Sequence, residues 1–126
     1  MIIGHGIDLV DLDQFERLLS VPAGDLLERC FLTEEQSAVG EGSNRVERLA
    51  GRFAAKEAVM KALGAGFGAG IGFLHVEIRI ESNCAPAVVL HGPAEELARK
   101  LGATRCLVSI SHDERLAIAS AIAVRD

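Results

Sequence analysis

The sequence predicts an α+β fold, with a small antiparallel sheet packed on one long central helix and shorter helices beside it. Three observations point there. Residues 44–63 contain no helix breaker over about five turns; four of the five β-rich segments pair off around turns; the other periodic segments are short. At 126 residues and 13.4 kDa the chain reads as one domain, 1–126, because a second would leave neither half enough interior to bury.

Taken in order, residues 2–10 are apolar with two glycines and read as a strand, and 11–19 have helical spacing with acids in the first turn. Pro22 and Gly24 end that helix or restart the next. Thr33-Glu-Glu-Gln36 has the capping-box pattern and opens a short helix that closes near Gly40 or Gly42; 40–44 is a surface loop. Asn44, with Glu47 three residues on, caps the long helix, and Gly64 suits its C-terminal turn. A glycine loop fills 64–72. Strands follow at 73–80 and 87–90 around a turn at 83–86. Pro93 and Gly102 bracket a helix at 94–101, and strands 106–111 and 116–124 form a hairpin joined at 112–115.

Composition removes several classes of function. Hydrophobic residues make up 49% and charged residues 25%, as in globular proteins rather than disordered ones. A net charge of −5, no Trp or Tyr and only five Phe leave neither the basic footprint nor the stacking platform of a nucleic-acid binder. Cys30, Cys84 and Cys106 are odd in number and far apart, which suggests reduced thiols in the cytoplasm and no structural zinc. The N-terminus has no basic n-region and no segment has the apolar length of a membrane span, so a soluble, unsecreted protein is expected. A mean hydropathy of +0.27 is high for a small chain and suggests apolar surface covered by copies of itself.

Two carboxylates break the pattern. On a helical wheel Val46, Leu49, Ala50, Phe53 and Met60 share one stripe of the long helix, and Glu57 lies in its middle. A buried carboxylate must be paired, hydrogen-bonded, metal-bound or protonated, so Glu57 is either half of an ion pair, with Lys61 one turn on, or a functional group. Asp8 ends an apolar strand, where Asp is disfavoured; it is either a helix N-cap or a second functional carboxylate. Adjacent in a fold, the two would suit Mg²⁺, which takes one or two carboxylates plus phosphate and water oxygens.

The long helix also carries Arg45, Arg48, Arg52, Lys56 and Lys61, either a solvated face or a phosphate-binding one. The glycine loop exposes N–H groups suited to phosphate, but its match to a dinucleotide fingerprint at Gly64, Gly66 and Ala69 follows a helix instead of a strand, and the P-loop pattern is absent. His112-Asp113 sits at a hairpin tip, where a rigid scaffold can present side chains.

Three segments resemble the holo-acyl-carrier-protein synthase family of small phosphopantetheinyl transferases: Gly4-His-Gly-Ile-Asp8, Arg52-Phe-Ala-Ala-Lys-Glu-Ala-Val-Met-Lys-Ala-Leu-Gly64 and Val108-Ser-Ile-Ser-His-Asp113. Together they span nearly the whole chain. The resemblance implies Mg²⁺-dependent transfer of the 4′-phosphopantetheine arm of coenzyme A to a serine of an acyl carrier protein, releasing adenosine 3′,5′-bisphosphate. It implies that Asp8 and Glu57 hold the metal, that Lys61, Gly64 and Gly66 hold phosphate, and that Arg52, Lys56 and His112 lie near the cofactor. Asp113, His112 and Glu57 acting through water are the candidate bases for the serine proton. Members are similar in forming homotrimers with sites between protomers. Where members carry a basic residue on the first helix for the carrier, this chain has Gln14 amid Asp11, Asp13 and Glu16.

Overall fold

Helix α4 (Arg45–Ala62) is the axis on which everything else is arranged. The computed structural model describes residues 1–22, 24–65 and 70–126. Before α4 come β1 (Ile2–Asp11), α1 (Leu12–Leu19), α2 (Leu26–Cys30) and α3 (Thr33–Val39). After it come a single 3₁₀ turn (Phe73–His75), β2 (Val76–Ile80), β3 (Pro86–Leu90), α5 (Gly92–Leu101), β4 (Arg105–His112) and β5 (Leu116–Val124). The expected single sheet is two: an antiparallel β1-β5-β4 sheet and a separate β2-β3 hairpin, with α4 against both.

Small residues set how closely α4 approaches the larger sheet. On β5 the alternate residues Ala117, Ala119, Ala121 and Ala123 are all buried, and they meet a helix that buries Ala50, Ala54, Ala55, Ala58 and Ala62. On β1 the same job falls to glycine: a Cβ added at Gly4 would stand 2.1 Å from the Ala62 carbonyl oxygen, and one at Gly6 2.2 Å from that of Ala58. Real side chains cannot occupy those positions, so the strand lies directly on the helix backbone. With a two-residue period, Gly4, Gly6, Asp8 and Val10 share the helix-facing side of β1.

The stripe expected from the helical wheel is buried at Leu49 and Ala50 but not along its whole length. Val46, Phe53, Glu57 and Met60 are only half-buried, whereas the alanines, Gly51 and Val59 are fully inside. Apart from Leu49 and Val59, the larger apolar residues mark the edge of the contact here, and alanines make most of the buried face.

Local chemistry explains the element ends. Asp11, not Asp8, caps α1, its carboxylate accepting the Gln14 N–H at 2.9 Å. The expected cap at Thr33 moves to Leu32, because the Glu35 carboxylate accepts the Leu32 N–H. Asn44 stands at the start of α4 without a side-chain cap bond. Gly64, at φ +70°, ends α4: its N–H reaches the Lys61 carbonyl and the Ala65 N–H reaches that of Met60, the paired closure of a Schellman turn. Residues 73–75, expected as strand, curl into the 3₁₀ turn because the Gly72 N–H is captured by His75 Nδ1. The 83–86 turn holds Cys84 at φ +66°, a conformation that favours glycine.

Candidate active site

Asp8 and Glu57 meet. With no Cβ on Gly6 to hold it off, β1 carries Asp8 onto α4 beside Glu57 and Lys61. Lys61 Nζ donates to the Asp8 carboxylate at 3.1 Å and to the Ile7 carbonyl at 2.9 Å. A hydrogen bond joins the Glu57 carboxyl to that of Asp8. Burial, then that hydrogen bond and the like charge of Asp8, push the Glu57 carboxyl up to about 7, against the pull of Lys61.

This donor set fits a hard divalent cation. Two carboxyl groups held side by side with a contested proton are what an oxygen-seeking ion replaces, leaving its other positions to phosphate and water. Among the described residues no group of three or more His, Cys, Asp or Glu side chains gathers in a metal-like cluster. Beside the pair, Glu57 and Lys61 form the polar end of a cleft otherwise lined by Met60, Ala65, Ile71, Gly72 and Phe73. One end suits phosphate and the other an uncharged chain.

The other sequence-derived candidates stand apart from this cluster. His112 lies opposite Ala117, itself opposite Val10, whereas Asp8 lies opposite Ala119. That separation of two strands and two residues is about 12 Å within one chain. Asp113 serves its turn: one carboxylate oxygen accepts the N–H groups of both Arg115 and Leu116 at 2.8 Å, and these bonds hold it below the usual carboxylate range. Arg52 is buried beside α4's first half; one guanidinium nitrogen donates to the Arg48 carbonyl and Nε has no partner among the described residues. Gly64 is exposed at the helix end, and Gly66 lies outside the described residues.

Lys56 corrects the expectation of a cofactor-facing lysine. It is fully buried, and its ammonium donates to Glu35 Oε1 at 2.7 Å, to the Phe73 carbonyl at 3.0 Å and to the Val76 carbonyl at 2.6 Å. All three protons are used. Glu35, equally buried, accepts the Leu32 N–H and, through Oε2, the Ile78 N–H. The Val76 carbonyl and Ile78 N–H face away from β3, so the ion pair occupies the place a neighbouring strand would take and closes that edge. Sequence reasoning missed Glu35 because a Glu in a first helical turn reads as an ordinary cap; only the fold brings its partner from 21 residues away.

Comparison with known proteins shows the family. Residues 4–119 match the model of the 4′-phosphopantetheinyl transferase superfamily. The holo-acyl-carrier-protein synthase of Desulfovibrio desulfuricans is 44% identical over 119 residues, covering 94% of each chain. Among solved structures, the synthase of Neisseria meningitidis superposes with a TM-score of 0.88 at 30% identity, over 99% of this chain and 100% of that one. The Helicobacter pylori synthase, solved in complex with coenzyme A, gives 0.81 at 31% identity, over 95% and 99%. Matched by the family model over residues 4–119 and by relatives along nearly its whole length, the chain belongs to the 4′-phosphopantetheinyl transferase superfamily.

Proposed function

We propose that residues 1–126 form one catalytic domain that transfers the 4′-phosphopantetheine group of coenzyme A to a serine of an apo acyl carrier protein, with Mg²⁺, releasing adenosine 3′,5′-bisphosphate. The observation that carries this reading is the Asp8–Glu57–Lys61 cluster at the mouth of a cleft with one charged end and one apolar wall. The family match and the coenzyme A complex of the Helicobacter pylori relative support it.

Asp8 and Glu57 would hold Mg²⁺, which supplies charge neutralisation at the diphosphate oxygens. Lys61, more than half exposed beyond its bond to Asp8, swings within reach of a phosphate and adds a point charge. Met60, Ile71 and Phe73 would carry the pantetheine arm away from the diphosphate, keeping water off that side. The carrier serine oxygen would bond to the β-phosphorus as its proton passes to a base, and the bond from that phosphorus to the bridging oxygen would break, the bridging oxygen leaving with the α-phosphate as adenosine 3′,5′-bisphosphate. Of the candidate bases, Asp113 is the weakest, being held low by its two turn bonds. His112 and a water beside Glu57 remain.

The outer face of the larger sheet supports self-association. Ile7, Leu9, Leu107 and Ile118 are exposed there together, on strands whose opposite face is the core. We assign this face to contact between copies in a homotrimer. No helix among the described residues is long and apolar enough to cross a membrane, and Cys30, Cys84 and Cys106 are free thiols; a reduced, cytoplasmic setting suits both.

Release of adenosine 3′,5′-bisphosphate, followed by chromatography, tests the reaction. Release that requires coenzyme A, Mg²⁺ and an apo carrier together is the expected result. Coenzyme A binding without release would instead indicate a non-catalytic module for coenzyme A or carrier.

A further inference from the structure

We propose that Lys56 and Glu35 are positioning residues for the transfer reaction, fixing the Phe73–Val76 segment that walls the cleft beside Glu57. This rests on the functional reading above and deepens it. Lys56 and Glu57 are neighbours on α4, so their side chains leave the helix about 100° apart. Glu57 opens into the cleft; Lys56 passes beneath it into the core. There the ammonium grips the carbonyls at both ends of one short segment, Phe73 and Val76. Phe73 is the residue of that segment that lines the cleft, and its ring stacks on Phe53 with centroids 4.9 Å apart.

The wall is therefore fixed at two points by neighbouring side chains of the same helix: Phe53 holds the ring and Lys56 holds the backbone. Glu35 in turn fixes Lys56 and, through the Ile78 N–H, the strand that continues from the wall. A buried ion pair contributes little to stability compared with an apolar pair of equal volume, so its retention suits a role in geometry. The segment has no other cross-braces of this kind among the described residues: His75 bonds only within its own turn and to His91. Loss of the ammonium frees the wall while leaving Asp8, Glu57 and Lys61 in place.

The test is steady-state kinetics on the full chain, with coenzyme A and an apo carrier varied separately. Lys56→Met/Glu35→Met removes both charges at similar volume and is expected to raise KM for coenzyme A about tenfold or more, leaving KM for the carrier unchanged. KM does not depend on the fraction of folded protein, so a purely structural role would leave it alone. Lys56→Gln/Glu35→Gln keeps a neutral hydrogen-bonded pair that protects the fold; its shorter amide reaches at most one carbonyl, for an expected rise of about threefold. Phe73→Ala should raise the same KM, and adding it to either pair variant should give less than the product of the separate effects. An unchanged KM for coenzyme A in both pair variants, or fully multiplicative effects with Phe73→Ala, would overturn the proposal. Wild-type protein that neither binds coenzyme A nor transfers from it would instead remove the functional reading beneath it.

Discussion

Lys56 and Glu57 are consecutive residues of one helix and have opposite fates. Around Lys56 every proton has an acceptor, every oxygen of Glu35 has a donor, and no part of the pair is exposed. Around Glu57 a second carboxyl, a half-exposed lysine and an open cleft leave charge unbalanced. A closed cluster holds shape, and an unbalanced one is ready for a charged ligand. Residue type does not distinguish the two; the count of satisfied partners does.

The sharpest break of this comparison is Glu57→Gln. It keeps volume and one hydrogen bond but removes the ligand charge, and transfer is expected to fall about a thousandfold or more with the protein still folded. Its stability should respond to pH in a defined direction. Glu57 binds its proton more tightly folded than unfolded, so between about pH 4.5 and 7 wild-type stability falls as pH rises and remains lowered above that window. The variant lacks this loss. It should melt above wild type at pH 8 in the absence of metal and converge with it near pH 5; Mg²⁺ at pH 8 should raise the melting temperature of wild type alone.

On the closed side, Lys56→Met is expected to cost about 3–5 kcal/mol of stability in urea, because Glu35 is left as an uncompensated buried charge. A cost under about 1 kcal/mol would mean that the pair is not closed. Gly6→Ala tests the strand that joins the regions: its methyl group meets the Ala58 carbonyl, so a loss of about 1–3 kcal/mol is expected, with Asp8 pushed from Glu57 and activity falling with it. Asp113→Ala is the smallest change. Losing two turn bonds should cost about 1 kcal/mol and leave the rate within a few-fold of wild type; a loss of a hundredfold would return Asp113 to candidacy as the base.

Much of this was legible in the residues. The breaker-free run gave α4 its length, and the turn chemistry at Gly64, Pro93 and Gly102 gave its end and the limits of α5. Asp8 and Glu57 could be picked out as misfits because each interrupts an apolar pattern. Other features lay beyond a one-dimensional reading. Alanines carry little amphipathic signal, so the stripe captures the buried Leu49 and Ala50 but not Ala54, Ala55, Ala58 and Ala62. Glu35 and Lys56 are joined by tertiary placement alone, and a lysine in a charged run reads as solvated until its burial is seen. The separation of His112 from Asp8 follows from strand order, which pattern does not determine.

The most direct measurement is intact-mass spectrometry of a purified apo acyl carrier protein after incubation with this protein, coenzyme A and Mg²⁺, run beside a chelator control and the Glu57→Gln variant. A gain of one phosphopantetheinyl group is expected with wild type, lost with chelator and with the variant. Equal modification by Glu57→Gln, or no gain on several unrelated carriers despite coenzyme A binding, would contradict it.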